Sequence, residues 1–263
     1  TVDGEKTLTI TSGSGAVEFG GNIGATTALS DLTVNSSAGT GAITFSGNVG
    51  TSTAAGAAAV AIGNADTASI TFAGVEFTSS GAQTFIADAY SITGADSTFA
   101  TSNANITFTD GGADGGITLA DIADLTLSTE LGGSGGGNIA VNVPIAGTAG
   151  NGDDATDVTI TAGSGTISIE DISTDINDVL LTSTGGISLD GSITTATDSD
   201  DGDGVSGVVT LTGPVTLAGN TTIDTDSTSN NGAVTFTSTV DGEKTLTITS
   251  GSGAVEFGGN IGA

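Results

Sequence analysis

The residues of this chain that could do chemistry are almost all carboxylates. Four aspartates, Asp198, Asp200, Asp201 and Asp203, stand close together in the sequence DSDDGDG. Calcium takes several carboxylate and carbonyl oxygens from a flexible loop, and glycines allow the turns that such a loop needs. Two interpretations are open, a calcium site formed by these four residues or a loop solvated by water. The second is favoured, because the EF-hand template would place its third ligand at Gly202.

Other chemistry finds less support in the sequence. Weaker acidic clusters occur at Asp153, Asp154 and Asp157, and at Asp224 and Asp226. Paired carboxylates can hydrolyse glycosides, but the chain has no Arg or His and only 4% aromatic residues, so we predict no catalytic or cofactor-binding residue and no enzyme. The absence of Cys and His also removes the usual zinc ligands. Repeated Thr-x-Thr strings are typical of ice-binding solenoids, but their spacing here is too uneven for a flat lattice.

The charge of the chain limits its partners. The chain has thirty acidic residues and only two basic ones, Lys6 and Lys244, which gives a formal net charge of -28. Such a surface repels nucleic acid and anionic lipid. There is also no apolar run long enough for a membrane span. The expected partners are therefore other copies of the chain, with divalent cations as bridges. Each lysine is expected to be solvated, the alternative being an ion pair with a neighbouring strand or rod.

The elements that must position these residues are short β-strands. Alternating apolar and hydroxyl residues, separated by Gly, Asn, Asp and Ser, predict strands of three to six residues. They include segments 8–11, 16–19, 32–34, 42–45, 69–72, 105–109, 158–161, 166–169, 208–212 and 233–237. The Ala-rich segment 53–63 is the nearest to a helix, but Gly56, Val60 and Ile62 argue against one.

Two all-β architectures compete for these strands. A β-sandwich needs longer strands and bulky inward residues, whereas a parallel β-solenoid fills a narrow interior with Val, Ile, Leu, Ala and occasional Phe. The composition favours the solenoid, with irregular loops rich in Gly and Asp. We therefore predict that residues 1–263 form one continuous parallel β-solenoid.

The sequence has a family resemblance that covers nearly the whole chain. The segments GGNIGATTALSDLTV and NNGAVTFTSTVDGEKTLTITSGSGAVEFGG resemble the repeat regions of giant bacterial secreted and surface proteins of the filamentous-haemagglutinin-like and autotransporter-passenger type. The resemblance implies a right-handed β-helix, an extracellular or cell-surface location, and a role in adhesion, cell contact or matrix. This sequence contains no haemagglutinin-type secretion domain, no Arg-Gly-Asp and no translocator barrel.

The sequence also repeats itself over a long distance. Residues 239–263 are identical to residues 1–25, through strands, turns and exposed positions alike, so one period extends from Thr1 to Ser238. Packing alone would not require identity at the exposed positions, so we predict a unit copied in tandem, with Ala263 leading into another TTALSDLTV. The expected function is a structural repeat of a long extracellular filament, stalk or sheath. The main alternative is a calcium-responsive adhesin stalk.

Overall fold

The computed structural model describes residues 1–112, 115–121, 123–133, 135–148, 156–195, 207–226 and 231–262. In this part of the chain every regular element is a β-strand, and there is no helix. Parallel strands stack as a β-solenoid, which confirms the predicted fold class and removes the sandwich alternative.

Each turn of the solenoid contributes to three ladders of parallel strands, here called ladders 1, 2 and 3, with strands numbered in chain order. Ladder 1 comprises β1 (Leu8–Ile10), β3 (Leu29–Val34), β5 (Ala57–Gly63), β8 (Gln83–Ala87), β11 (Ile106–Asp110), β14 (Ile139–Asn142), β17 (Ile167–Ile169), β20 (Ile187–Leu189), β23 (Val215–Leu217) and β26 (Val240–Asp241). Ladder 2 comprises β2 (Val17–Phe19), β4 (Ile43–Phe45), β6 (Ile70–Phe72), β9 (Tyr90–Ile92), β12 (Ile117–Leu119), β15 (Ile145–Gly147), β18 (Ile172–Ser173), β21 (Ile193–Thr194), β24 (Thr221–Asp224) and β27 (Leu246–Thr249).

Ladder 3 begins with single-residue bridges and continues as strands. The bridges join Val2 to Ile23, Ile23 to Val49, and Val49 to Phe77. The strands are β7 (Glu76–Ser79), β10 (Ser97–Thr101), β13 (Leu125–Ser128), β16 (Thr156–Gly163), β19 (Ile176–Ser183), β22 (Val209–Thr212), β25 (Val234–Phe236) and β28 (Val255–Phe257).

The strands form where the sequence alternates, because successive side chains of a strand point to opposite faces. In β4, for example, Ile43 and Phe45 are fully buried while Thr44 between them is half-buried. The register keeps like residues above one another, since Ile43 and Phe45 pair with Ile70 and Phe72 of the next turn. Columns of mostly apolar side chains therefore fill the interior, and in ladder 1 the buried Gln83 lies between Val60 and Ile106.

Each of the ten predicted strand segments overlaps an observed strand, and segment 53–63 contains strand β5. The lengths vary more than expected, from two residues in β18 to eight in β16 and β19. Turns also differ in length, because the pairing of Ile167 with Ile187 closes a much shorter turn than the pairing of Ile106 with Ile139. Loops at the corners absorb these differences without breaking the ladders.

Candidate functional site

The residues of the predicted calcium site, Asp198, Asp200, Asp201 and Asp203, lie outside the described residues, as do Asp153 and Asp154. Asp157, Asp224 and Asp226 of the weaker clusters are described, on or beside β16 and β24. Within the described ranges, no group of three or more acidic side chains is arranged to hold a metal ion.

Asp157 is part of a row of carboxylates that links successive turns. The Oδ1 atom of Asp124 accepts the backbone N–H of Asp157 at 2.8 Å, and Oδ1 of Asp157 accepts the N–H of Asp178 at 2.9 Å. Oδ1 of Asp178 in turn accepts the N–H of Val208 at 2.8 Å. Each carboxylate thus satisfies an amide of the next turn in ladder 3. The amides of Asp157 and Asp178 lie within β16 and β19, at a register shift between these two strands, and the amide of Val208 directly precedes β22.

The stacking of like charges has an electrostatic cost. Burial raises the pKa of Asp157, and the carboxylates of Asp124 and Asp178 raise it further, while the hydrogen bond from the Asp178 amide opposes the shift. Desolvation and like charges both disfavour the ionised form. This row of aspartates therefore connects turns mechanically and is weakened by its own charge at neutral pH.

Asparagine side chains form the same kind of hydrogen bond between turns at other corners, and they add no charge. Their side-chain oxygens accept an amide of the next turn at 2.9–3.1 Å, and sequence analysis did not identify this role. The available signal was an Asn or Asp directly before an apolar residue that starts a strand or bridge. The pairs are Asn22 to Asn48, Asn48 to Val75, Asn105 to Asn138, and Asn138 to Thr166.

An open groove of about 310 Å³ collects further carboxylates between ladders 1 and 2, with Asp110, Glu170 and Asp171 in its lining. Burial raises the pKa of Glu170, and the charges of Asp190, Asp171 and Asp110 add to the effect. Asp171 already accepts the amide of Ser192 at 2.7 Å. The groove concentrates negative charge, but its lining does not form a metal site.

The two copies of the duplicated segment have the same local structure. Each makes one full turn, closed by a parallel bridge between Val2 and Ile23 in the first copy and between Val240 and Ile261 in the second. The backbone hydrogen bonds of the two copies correspond. The N–H of Val2 donates to the carbonyl of Asn22 at 2.9 Å, and that of Val240 donates to Asn260 at 3.0 Å. Likewise, Gly24 donates to Val2 at 2.7 Å, and Gly262 donates to Val240 at 2.8 Å. Corresponding glycines have positive φ in both copies, including 62° at Gly24 and 66° at Gly262.

The two copies nevertheless lie on different ladders. Leu8 is in ladder 1, where it pairs with Leu32, whereas the equivalent Leu246 is in ladder 2, where it pairs with Thr221. The second strand of the segment moves in the same sense, from ladder 2 at Val17 to ladder 3 at Val255. The same segment therefore starts one ladder later when it recurs.

The copies also differ in what covers them. The turn formed by residues 26–50 lies on the first copy, and Val17 and Ile23 are 8% and 1% exposed. Their equivalents Val255 and Ile261 are 42% and 59% exposed. Since the sequences are identical, the difference comes from the neighbouring turns: residues 26–50 pair with the first copy, whereas the second copy pairs with the turn that precedes it.

The chain matches no protein-family model, no curated protein and no solved structure. Over the described residues, none of the elements is a helix with the length and hydrophobicity of a membrane span.

Proposed function

We propose that this chain is one unit of a tandemly repeated, extracellular structural protein that forms a filament, stalk or sheath. The observation that carries the proposal is the identity of residues 1–25 and 239–263 through strands, turns and exposed positions alike. Selection for packing tolerates substitution at exposed positions such as Glu18 and Glu256. Identity there is expected when a long unit has been copied at the gene level.

The fold suits a load-bearing rod. In stacked parallel ladders, backbone groups of one turn bond to the next turn, and each turn contacts only its neighbours. Added turns therefore lengthen the rod without a larger core. With turns spaced by about 4.8 Å, units of this size would make a long, thin rod with one narrow, mostly apolar core.

The charge suits an extracellular coat that stays hydrated. A net charge of -28 keeps rods apart until cations screen or bridge them. Proteins of the filamentous-haemagglutinin-like and autotransporter-passenger type are the class we propose for it, supported by the solenoid fold and the sequence resemblance. In this proposal the unit has a mechanical role and no catalytic one.

The test is the mass of the intact native polypeptide under denaturing conditions. We expect a species several times larger than the 24.9 kDa of this sequence. A native species near 24.9 kDa would contradict a covalent tandem array. Peptide mapping of the large species should recover the junction in which residues 239–263 are followed by the sequence of residues 26–50.

The acidic segment containing Asp198, Asp200, Asp201 and Asp203 supports a second version of the proposal, a calcium-responsive stalk. A chelator titration at constant ionic strength separates the two versions. An unchanged unfolding temperature supports a rod that is independent of calcium. A fall of several degrees that Ca²⁺ reverses, and that a variant with all four aspartates changed to Asn does not show, supports the calcium-responsive stalk.

A further inference from the structure

The duplicated segment shows how one unit would join the next. We propose that the turn formed by residues 239–262 is the docking surface for the segment 26–50 of a following unit, and that each junction shifts the repeat by one ladder. The inference rests on the proposed tandem repetition and adds the geometry of the junction. The occupant is thus a second copy of this chain's own sequence.

The contacts at the proposed junction are already present once in the molecule. Residues 26–50 cover the first copy through the pairings of Leu8 with Leu32, Val17 with Ile43, and Ile23 with Val49. The second copy has the same residues in the same local conformation, with Val255 and Ile261 exposed. The segment that fits the first copy therefore fits the second.

Aromatic stacking supports the same occupant. Phe19 stacks on Phe45 of the following turn, with ring centroids 4.9 Å apart and planes at 8°. Phe257, the equivalent of Phe19, stacks on Phe236 of the preceding turn at 4.9 Å and 5°. A following unit would place its own Phe45 on the other face of Phe257. The ring stack would then pass through the junction without a break.

The ladder shift fixes the rotation between units. Ten strands of ladder 1 connect Leu8 to Val240, which places these residues nine turns apart. Leu246, the equivalent of Leu8, lies one ladder further along the chain, in ladder 2. One period is therefore nine turns and one ladder, and only every third unit returns to the same ladder.

This geometry determines which directions the surface of a unit faces. Lys6 precedes a ladder 1 strand, and the equivalent Lys244 precedes a ladder 2 strand. Over three units the same surface, including the lysine, would face three sides of the rod in turn. A rod built in this way can make equivalent lateral contacts with acidic neighbours in three directions.

Cysteine cross-linking tests the ladder shift in the full 263-residue chain, which has no native cysteine. Thr222 and Thr247 are in-register neighbours in ladder 2, at a spacing that suits a disulfide. The Thr222→Cys/Thr247→Cys variant should therefore cross-link under mild oxidation. The matched control Thr9→Cys/Thr33→Cys tests the corresponding pair of the first copy in ladder 1.

The alternative without a shift would place residue 247 in ladder 1, beside Thr216 of β23. We therefore expect Thr216→Cys/Thr247→Cys to cross-link at least roughly tenfold more slowly than Thr222→Cys/Thr247→Cys, since cysteines that do not face each other cannot be bridged without backbone movement. The opposite order would overturn the shift. Failure of the Thr222/Thr247 pair would also overturn it, whether or not the control pair forms.

A two-unit polypeptide, residues 1–238 followed by residues 1–263, tests the docking itself. Small-angle X-ray scattering should show a rod longer by about 45 Å than the single unit, from nine and one-third turns at about 4.8 Å, with the same cross-section. A thicker particle of unchanged length would mean that the units pack side by side, and would overturn the docking. A native mass near one unit would reject the proposed function, but it would not change the cross-linking result on the ladder shift or the scattering result on the docking.

Discussion

Tyr90 offers a sharp test of the interior, because it is the only Tyr in a chain without Trp. It lies on β9, is 2% exposed, and its ring packs edge-on against Phe108 at 5.3 Å. Its hydroxyl accepts the N–H of Ala87 at 3.0 Å and can donate to the carbonyl of Thr109 at 2.6 Å or of Phe85 at 3.0 Å. The hydroxyl thus connects β9 in ladder 2 with β8 and β11 in ladder 1.

The Tyr90→Phe substitution keeps the ring and removes the hydroxyl. It leaves the buried amide of Ala87 without this acceptor and removes one donated hydrogen bond. Leaving a buried polar group unsatisfied costs about 1–3 kcal/mol, so we expect the free energy of unfolding to fall by about 2 kcal/mol at pH 8. A fall below about 0.5 kcal/mol would contradict a hydroxyl that bridges two ladders.

The pH dependence gives an independent check. Burial raises the pKa of Tyr90 above its ordinary value of 10.0. The unfolded chain therefore loses this proton before the folded one, and the contribution of Tyr90 to stability, complete below pH 10, is lost as the pH rises further. At pH 11, one unit above the ordinary pKa of tyrosine, the free energy of unfolding is lower by about 1.4 kcal/mol for this reason. The difference between the wild type and Tyr90→Phe should shrink by that amount between pH 8 and pH 11.

The measurement is urea unfolding at both pH values, followed by far-ultraviolet circular dichroism. Phe108→Leu is the matched control, because it disturbs the same cluster without a titrating group, and its effect on stability should be the same at both pH values. Amide exchange at Ala87 gives a local readout, which a solenoid needs because its segments can open separately. An equal gap between wild type and Tyr90→Phe at pH 8 and pH 11 would refute the reasoning.

Three further predictions concern the contacts between successive turns of the solenoid. Asp157→Asn removes a carboxylate whose pKa is raised by burial and by neighbouring like charges. It should therefore stabilise the protein by about 0.5–1 kcal/mol at pH 7, a figure reduced for solvent screening at this half-buried site, and by much less near pH 4, where the wild-type carboxyl gains a proton. Urea titrations check this with the exposed Asp96→Asn as control, and equal effects of the two variants at pH 7 would contradict it. Gly41→Ala would place a Cβ well under 3.0 Å from the carbonyl oxygen of Gly15, whereas the Cβ of Gly20→Ala would meet nothing within 4 Å. In thermal unfolding, the free energy of unfolding should fall by more than about 2 kcal/mol for Gly41→Ala and change by no more than about 0.5 kcal/mol for Gly20→Ala. Similar values for the two variants would contradict the tight stacking of corners. Asn48→Ala removes the side-chain oxygen that accepts the backbone N–H of Val75 in the next turn at 2.9 Å. It should lower the free energy of unfolding by about 1 kcal/mol, while Asn48→Asp should keep most of the stability. If chemical denaturation shows Asn48→Asp to be the less stable variant, the role of Asn48 as an acceptor at the corner is contradicted.

The strands and the solenoid could be predicted because alternation and composition are local properties. A run such as Ile70, Thr71 and Phe72 has a buried and an outward face wherever it lies. The roles of the residues that connect successive turns were harder to predict, because an Asp has the same local sequence whether water or an amide of the next turn binds its carboxylate. Asp157 was assigned to an acidic cluster, and its hydrogen bond with Asp178 depends on the register between turns.

The division of each turn into three ladders could not be predicted for a deeper reason, which the duplicated segment demonstrates. Leu8 and Leu246 have identical neighbours along the chain, yet they lie in ladders 1 and 2. The same strand can stack on either ladder because each offers an apolar column at the same spacing, with Ile10 beside Val34 and Ile248 beside Ile223. The ladder of a strand therefore depends on how many corners precede it, which the loops set. A loop change that adds or removes one corner would move every later strand to the next ladder while preserving its local structure, and in a tandem array it would change the direction that each unit faces.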